Sequence, residues 1–102
     1  MKPLYRPQFR ADIYRESLWL MTNASLDVAE RWKESVKRTV KFLAKNPQLG
    51  RERKDIEFPG IRSWGVQGGF RRWILFYELR GDEIIFQRVV SGTMNLYVMS
   101  FE

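Results

Sequence analysis

The chain has 102 residues, with 18 Lys and Arg against 12 Asp and Glu, and so a net charge of +6 at neutral pH. That length fits one domain, residues 1–102, and 44% hydrophobic with 15% aromatic content is enough for a single core. Cysteine and histidine are both absent, which excludes disulfides, thiolate nucleophiles, Cys-type zinc sites and the commonest general base and metal ligand. No metal or cofactor is expected, and the basic balance favours anionic partners. "MKPLYRPQFR" contains no apolar leader, and no run approaches the roughly 18 residues of a membrane span. The expectation is a soluble, cytoplasmic protein without membrane contact.

"PLYRP" (Pro3 to Pro7) is short and lies between prolines, which suits an edge strand. Pro7 then stands at a first helical position, and Phe9, Ile13 and Leu20 recur at helical spacing through residues 7–22, with Ala11, Tyr14, Leu18 and Met21 beside them. After "NAS", Ser25 is a predicted N-cap, and Asp27 and Glu30 place negative charge at the positive end of a second helix, residues 26–45. Its buried stripe is Ala29, Trp32, Val36, Val40 and Leu43, and "NPQLG" ends it because Pro47 cannot continue. The two helices form a hairpin.

"GRERKD" (Gly50 to Asp55) reads as a polar connection. "GIRSWGV", "FRRWILFYEL" and "EIIFQRVVS" follow as three strands of an antiparallel meander, with turns at "VQGGF" and "RGDE". The middle strand alternates Arg71, Trp73, Leu75, Tyr77 and Leu79 on one face with Phe70, Arg72, Ile74, Phe76 and Glu78 on the other. Both faces are apolar at the centre, yet a helix hairpin covers one. The tail "TMNLYVMSFE" or a partner chain is expected over the second.

Four groups of residues invite a functional reading. Lys33, Lys37, Lys41 and Lys45 recur every four residues on the second helix, either as a phosphate-binding patch or as a solvated face. Arg62, Arg71, Arg72 and Arg88 fall on successive predicted strands, where guanidinium groups could grip phosphate or carboxylate. Simple alternation puts Arg88 with Ile84, Phe86 and Val90, so its charge requires a partner: an internal carboxylate such as Glu57 or Glu78, or a ligand. Trp64 and Trp73 could stack on bases or pack in the core, whereas Trp32 lies on the helix stripe and packs. No carboxylate pair, phosphate loop or metal-ligand spacing occurs, which leaves Tyr97 as an acid/base candidate. Trp19, Leu20 and Met21 exceed what one helix face hides, which suggests a homodimer through the hairpin.

The element order, with "NPQLG" after the second helix, "PGIRSW" opening the sheet, "WILFYEL" at its centre and "QRVVSG" on the last strand, resembles the RelE/ParE toxin superfamily, and within it the ParE or plasmid-stabilisation branch. The resemblance spans nearly the whole chain. It implies an α+β fold: an N-terminal strand and a two-helix hairpin packed on an antiparallel sheet of three further strands. It also implies a bacterial toxin made beside an antitoxin whose extended C-terminal segment wraps it in a hetero-oligomer. ParE-type relatives stall DNA gyrase, and RelE-type relatives cut messenger RNA on the ribosome.

The departures bear on that choice. Where the family continues His-Gly-x-Arg-Asp, this chain reads Ser91, Gly92, Thr93, Met94, Asn95, so Met94 replaces the arginine. The strand "IRSWGV" lacks the expected lysines, and Ile74 stands where many relatives carry arginine. The resemblance therefore implies a gyrase-binding toxin, with Arg62, Trp64, Arg71, Arg72, Trp73 and Arg88 contacting antitoxin or target. The alternatives are a ribosome-dependent ribonuclease using Arg62, Arg72, Arg88 and Tyr97, a nucleic-acid-binding module on the lysine ladder, and a degenerate toxin that only binds its antitoxin.

Overall fold

Ser25 caps the second helix: its Oγ accepts from the Val28 N–H at 3.1 Å, and Asp27 lies in the first turn. A computed structural model of the chain describes residues 1–92 and 99–101. In chain order the elements are β1 (Lys2–Tyr5), α1 (Pro7–Asn23), α2 (Leu26–Lys45), β2 (Arg51–Glu52), β3 (Arg62–Gly65), β4 (Trp73–Arg80) and β5 (Glu83–Ser91). Both helices and the last strand have the expected extents to within one residue.

The sheet order is β1-β5-β4-β3-β2. The meander β3-β4-β5 is antiparallel as expected, while β1 joins β5 in parallel and makes the sheet mixed. Arg51 and Glu52, read from the sequence as part of a polar connection, pair with Ser63 and Arg62 as a short fifth strand. Two residues are too few to show a strand period. The central strand also starts later than expected: the Trp73 N–H returns to the Phe70 carbonyl at 3.0 Å, so Arg71 and Arg72 belong to a turn. Gly68 and Gly69 take φ of 76° and 90° before it, as the Gly-Gly pair predicts.

The helix hairpin buries Phe9, Leu20, Ala29, Trp32, Val36, Val40 and Leu43 against Trp73, Leu75, Tyr77, Ile84, Phe86 and Val89. The opposite sheet face carries a smaller cluster, Ile61, Phe76 and Val90, closed by Ile56 and Phe58 of the β2-β3 connection and by Met99 and Phe101 of the tail. The tail thus supplies part of the expected cover, with Phe101 edge-on to Phe76 at 5.6 Å.

One irregularity changes the assignment of faces. Phe76 pairs with Arg88 but Tyr77 pairs with Phe86, which leaves Gln87 as a bulge. Ile84 and Phe86 face the helices, Val89 rejoins them, and Val90 turns to the other side with Phe76. Arg88 therefore does not share a face with Ile84 and Phe86. It pairs with Asp12 of α1, not with Glu57 or Glu78: Nε donates to Asp12 Oδ2 at 2.7 Å and Nη2 to Oδ1 at 2.9 Å. Asp12 Oδ2 also accepts from the Val89 N–H at 3.0 Å, and Oδ1 accepts from Arg15 Nη2 at 2.7 Å.

Asp12 is only 1% exposed, so removing it leaves a buried guanidinium and a backbone N–H without their acceptor. Asp12→Ala is expected to lower unfolding free energy by about 3–5 kcal/mol, measurable by urea denaturation, whereas Asp27→Ala, on an exposed ion pair, should change it by about 1 kcal/mol or less.

Candidate functional site

Of the predicted site residues, all but Tyr97 fall within the described part of the chain. Arg62 serves the chain itself, donating from Nη1 to the carbonyls of Gln48 and Gly50 at 3.2 and 2.8 Å and from Nη2 to Gln48 Oε1 at 3.0 Å. Arg88 is held by Asp12 and by the Ser100 carbonyl at 3.2 Å. These two arginines point to opposite edges of the sheet and do not converge. Trp73 is core, with the rings of Trp19, Trp32 and Phe70 around it at 6.1–6.4 Å and its Nε1–H donating to Glu16 Oε1 at 2.7 Å. Trp64 is half-buried against Phe42, at 6.0 Å. Arg71 and Arg72 are exposed in the turn before β4. Tyr97, Met94 and Asn95 lie outside the described residues.

The loop that Arg62 holds is the "NPQLG" segment, and Tyr77 explains its composition. The buried Tyr77 hydroxyl donates to the Pro47 carbonyl at 2.7 Å and accepts from the Gly50 N–H at 2.8 Å. A Cβ at residue 50 would run into the Tyr77 ring and oxygen, so glycine is required there. Burial pushes the Tyr77 pKa above the ordinary tyrosine value, opposed by the Gly50 hydrogen bond and by Arg62.

The lysine ladder divides. Lys33 and Lys37 form i,i+3 pairs with Glu30 and Glu34 at 3.2 and 3.5 Å. Lys41 and Lys45 have no carboxylate within ion-pair distance among the described residues. Lys37 and Lys41 flank a cleft of about 260 Å³ between β1, α1 and α2, lined by Tyr5, Phe9, Arg10, Ile13, Val36 and Val40 besides the two lysines. Phe9, Val36 and Val40 are buried and form its floor, and Arg10 lies over the Tyr5 ring at 5.1 Å. An apolar floor under three cations suits an amphipathic segment with acidic flanks.

Strand addition at the neighbouring sheet edge is disfavoured. The N–H groups of Lys2 and Arg6 bond to the Asp82 and Phe86 carbonyls, so the odd residues of β1 face outward and Pro3 has no N–H to offer there. Sequence reasoning did not single out Arg10 or Tyr5; the available signal was their placement around Pro7, where strand passes directly into helix.

The family described as "ParE toxin of type II toxin-antitoxin system, parDE" matches residues 4–96. The chain belongs to the ParE toxin family. Toxin ParE3 of Caulobacter vibrioides is 31% identical over 74 residues, which is 72% of this chain and 69% of that protein. A solved structure of a chromosomal ParDE toxin-antitoxin system from P. aeruginosa has the same fold, with a TM-score of 0.73 at 19% identity, covering 89% of this chain and 95% of the other. Among the described residues no helix is long and apolar enough to cross a membrane, and no group of acidic side chains could hold a metal ion.

The raised Tyr77 pKa carries a sign. The folded state favours the neutral phenol, so the contribution is fully present below the unfolded value near 10 and is lost as pH rises through the folded value. Unfolding free energy is expected to fall above about pH 10. Tyr77→Phe should cost about 1–3 kcal/mol at neutral pH, by leaving the Pro47 carbonyl and Gly50 N–H unpaired, and should flatten this alkaline limb in urea titrations across pH.

Proposed function

We propose that the chain is a growth-arresting toxin that acts in the bacterial cytoplasm by binding DNA gyrase. In this reading it is neutralised by a cognate antitoxin whose segment occupies the cation-rimmed cleft. The observation that carries the reading is the ParE family match over residues 4–96. The cleft supports the antitoxin part, because Arg10, Lys37 and Lys41 offer charge to an acidic segment above an apolar floor.

The choice of binding over cutting rests on the arginines. A ribonuclease of the related kind needs several cations free to stabilise charge on a scissile phosphate. Arg62 is bound to the Gln48 and Gly50 carbonyls and Arg88 to Asp12. Freeing Arg88 would strip the buried Asp12 carboxylate of two of its hydrogen bonds and leave the half-exposed Arg15 as its remaining cation. Of the three, only Arg72 is free of such a commitment among the described residues.

Expression from a tightly repressed promoter in bacteria is expected to arrest growth with induction of the DNA-damage response and without ribosome-dependent transcript cleavage. Co-expression of the antitoxin encoded beside it should restore growth. Cut transcripts without DNA damage would establish the ribonuclease, and normal growth at confirmed expression would establish a degenerate toxin.

The antitoxin contact has its own measurement. Lys37→Glu combined with Lys41→Glu is expected to weaken toxin-antitoxin affinity about tenfold or more and to reduce its salt dependence. The exposed Lys45→Glu, outside the cleft, should leave affinity within about twofold.

A further inference from the structure

A second cleft, of about 200 Å³, opens at the start of β4 and is lined by Glu16, Trp19, Arg72, Trp73 and Ser91. The Arg72 guanidinium lies 5.2 Å from the Trp73 ring centroid and 6.0 Å from that of Trp19, and the two indoles meet edge-to-face at 6.4 Å. Its backbone is held too: the Arg72 carbonyl accepts from the Gly92 N–H at 2.6 Å, and a Cβ at residue 92 would approach that oxygen to 3.0 Å. A flexible side chain is thus preorganised against aromatic faces.

Folding leaves two features of this arrangement unexplained. Arg72 is exposed, and among the described residues no carboxylate lies within ion-pair distance of it. The one acid in the cleft wall, Glu16, is engaged by Trp73 Nε1 at 2.7 Å and Arg15 Nε at 3.3 Å. Trp19 keeps 47% of its surface exposed although it touches the core through Trp73. A half-exposed indole offers a π-face, and a stacked guanidinium beside it offers planar donors to an anion, with the exposed Arg71 next in sequence.

An anion joined to a flat aromatic group is the chemistry of a nucleotide. We infer that Trp19 and Arg72, assisted by Arg71, bind single-stranded nucleic acid: an unpaired base stacks on Trp19 and an adjacent phosphate is held by Arg72. A base within a duplex has both faces covered by its neighbours, so the site selects unpaired strands. The site is distinct from the lysine ladder and independent of the gyrase reading, since it requires only the chain itself.

The test uses the purified toxin without gyrase or antitoxin, titrated at low salt with a short fluorescently labelled oligothymidylate, the matching oligouridylate and a mixed-sequence duplex. The single strands are expected to bind, more weakly as salt rises, and more tightly than the duplex. Unequal affinity for the two single strands assigns the source as DNA or RNA. Trp19→Ala and Arg72→Ala should each lose about fivefold or more, and Arg72→Lys, which keeps charge without the planar stack, should fall between wild type and Arg72→Ala. Arg72 is exposed and Trp19 only half covered by Trp73, so a cooperative melting transition in each variant will verify folding. Failure of the wild-type protein to bind, equal affinity for duplex, or loss of binding only in Lys41→Ala with Lys45→Ala would overturn the assignment. Growth arrest and gyrase inhibition are read separately, so failure here leaves that reading standing.

Discussion

A four-residue strand cannot cover a nine-residue neighbour, and this mismatch between β1 and β5 is the constraint around which the chain is arranged. Pairing ends at Tyr5 and Phe86, the Arg6 N–H closes the Phe86 carbonyl, and the outer edge of β5 from Gln87 onward would then be open. The Asp12 carboxylate takes the place of the missing strand by accepting from the Val89 N–H, and the bulge at Gln87 lets Arg88 reach the same carboxylate. A buried ion pair of this kind adds little net stability over an apolar pair, but breaking it is costly, and its directional bonds set where α1 lies on the sheet. With α1 set, Phe9 and Ile13 meet α2 at the first cleft, and Trp19 reaches Trp73 at the second.

The helix hairpin and the final hairpin of strands were legible because their information is local and repeated. The stripe from Ala29 to Leu43, the Ser25 cap and the Gly81-Asp82 turn each follow from spacing or φ preference, and the same residues carry those roles in the fold. Three features were not legible, each for a different reason. The β2 strand is too short to have a period. The bulge at Gln87 has no composition signature and inverts every face assignment beyond it. The turn at Phe70 to Arg72 looks like strand by composition, and its backbone is decided by the Gly-Gly pair before it. A signal for the Asp12 partnership did exist: Asp12 interrupts the apolar stripe between Phe9 and Ile13, and an acid on a buried face demands a base opposite.

The motif that carried the family resemblance most visibly is a structural staple. In "NPQLG", Pro47 ends α2 and gives its carbonyl to Tyr77, Gln48 and Gly50 are held by Arg62, and Gly50 makes room for the phenol. The segment therefore ties the end of the helix layer to the middle of the sheet, from which β2 and β3 follow. Sequence alone marks it as a helix stop but cannot reveal the staple, because Tyr77 lies 27 residues beyond Gly50.

Cations that solve the fold are not available for function, and this separates the basic residues more sharply than net charge does. Arg62 and Arg88 answer internal carbonyls and a buried carboxylate, whereas Lys33 and Lys37 make only exposed pairs with glutamates one helical turn away, which a partner can displace. Arg10, Lys41 and Arg72 have no such carboxylate among the described residues, and each stands beside an aromatic ring or an apolar floor. Arg10 and Trp19 lie nine residues apart on the same helix, about 14 Å at 1.5 Å per residue. Nine residues are also about two and a half turns, so Arg10 and Trp19 project from opposite sides of α1, and a single segment laid along one face of that helix cannot fill both clefts.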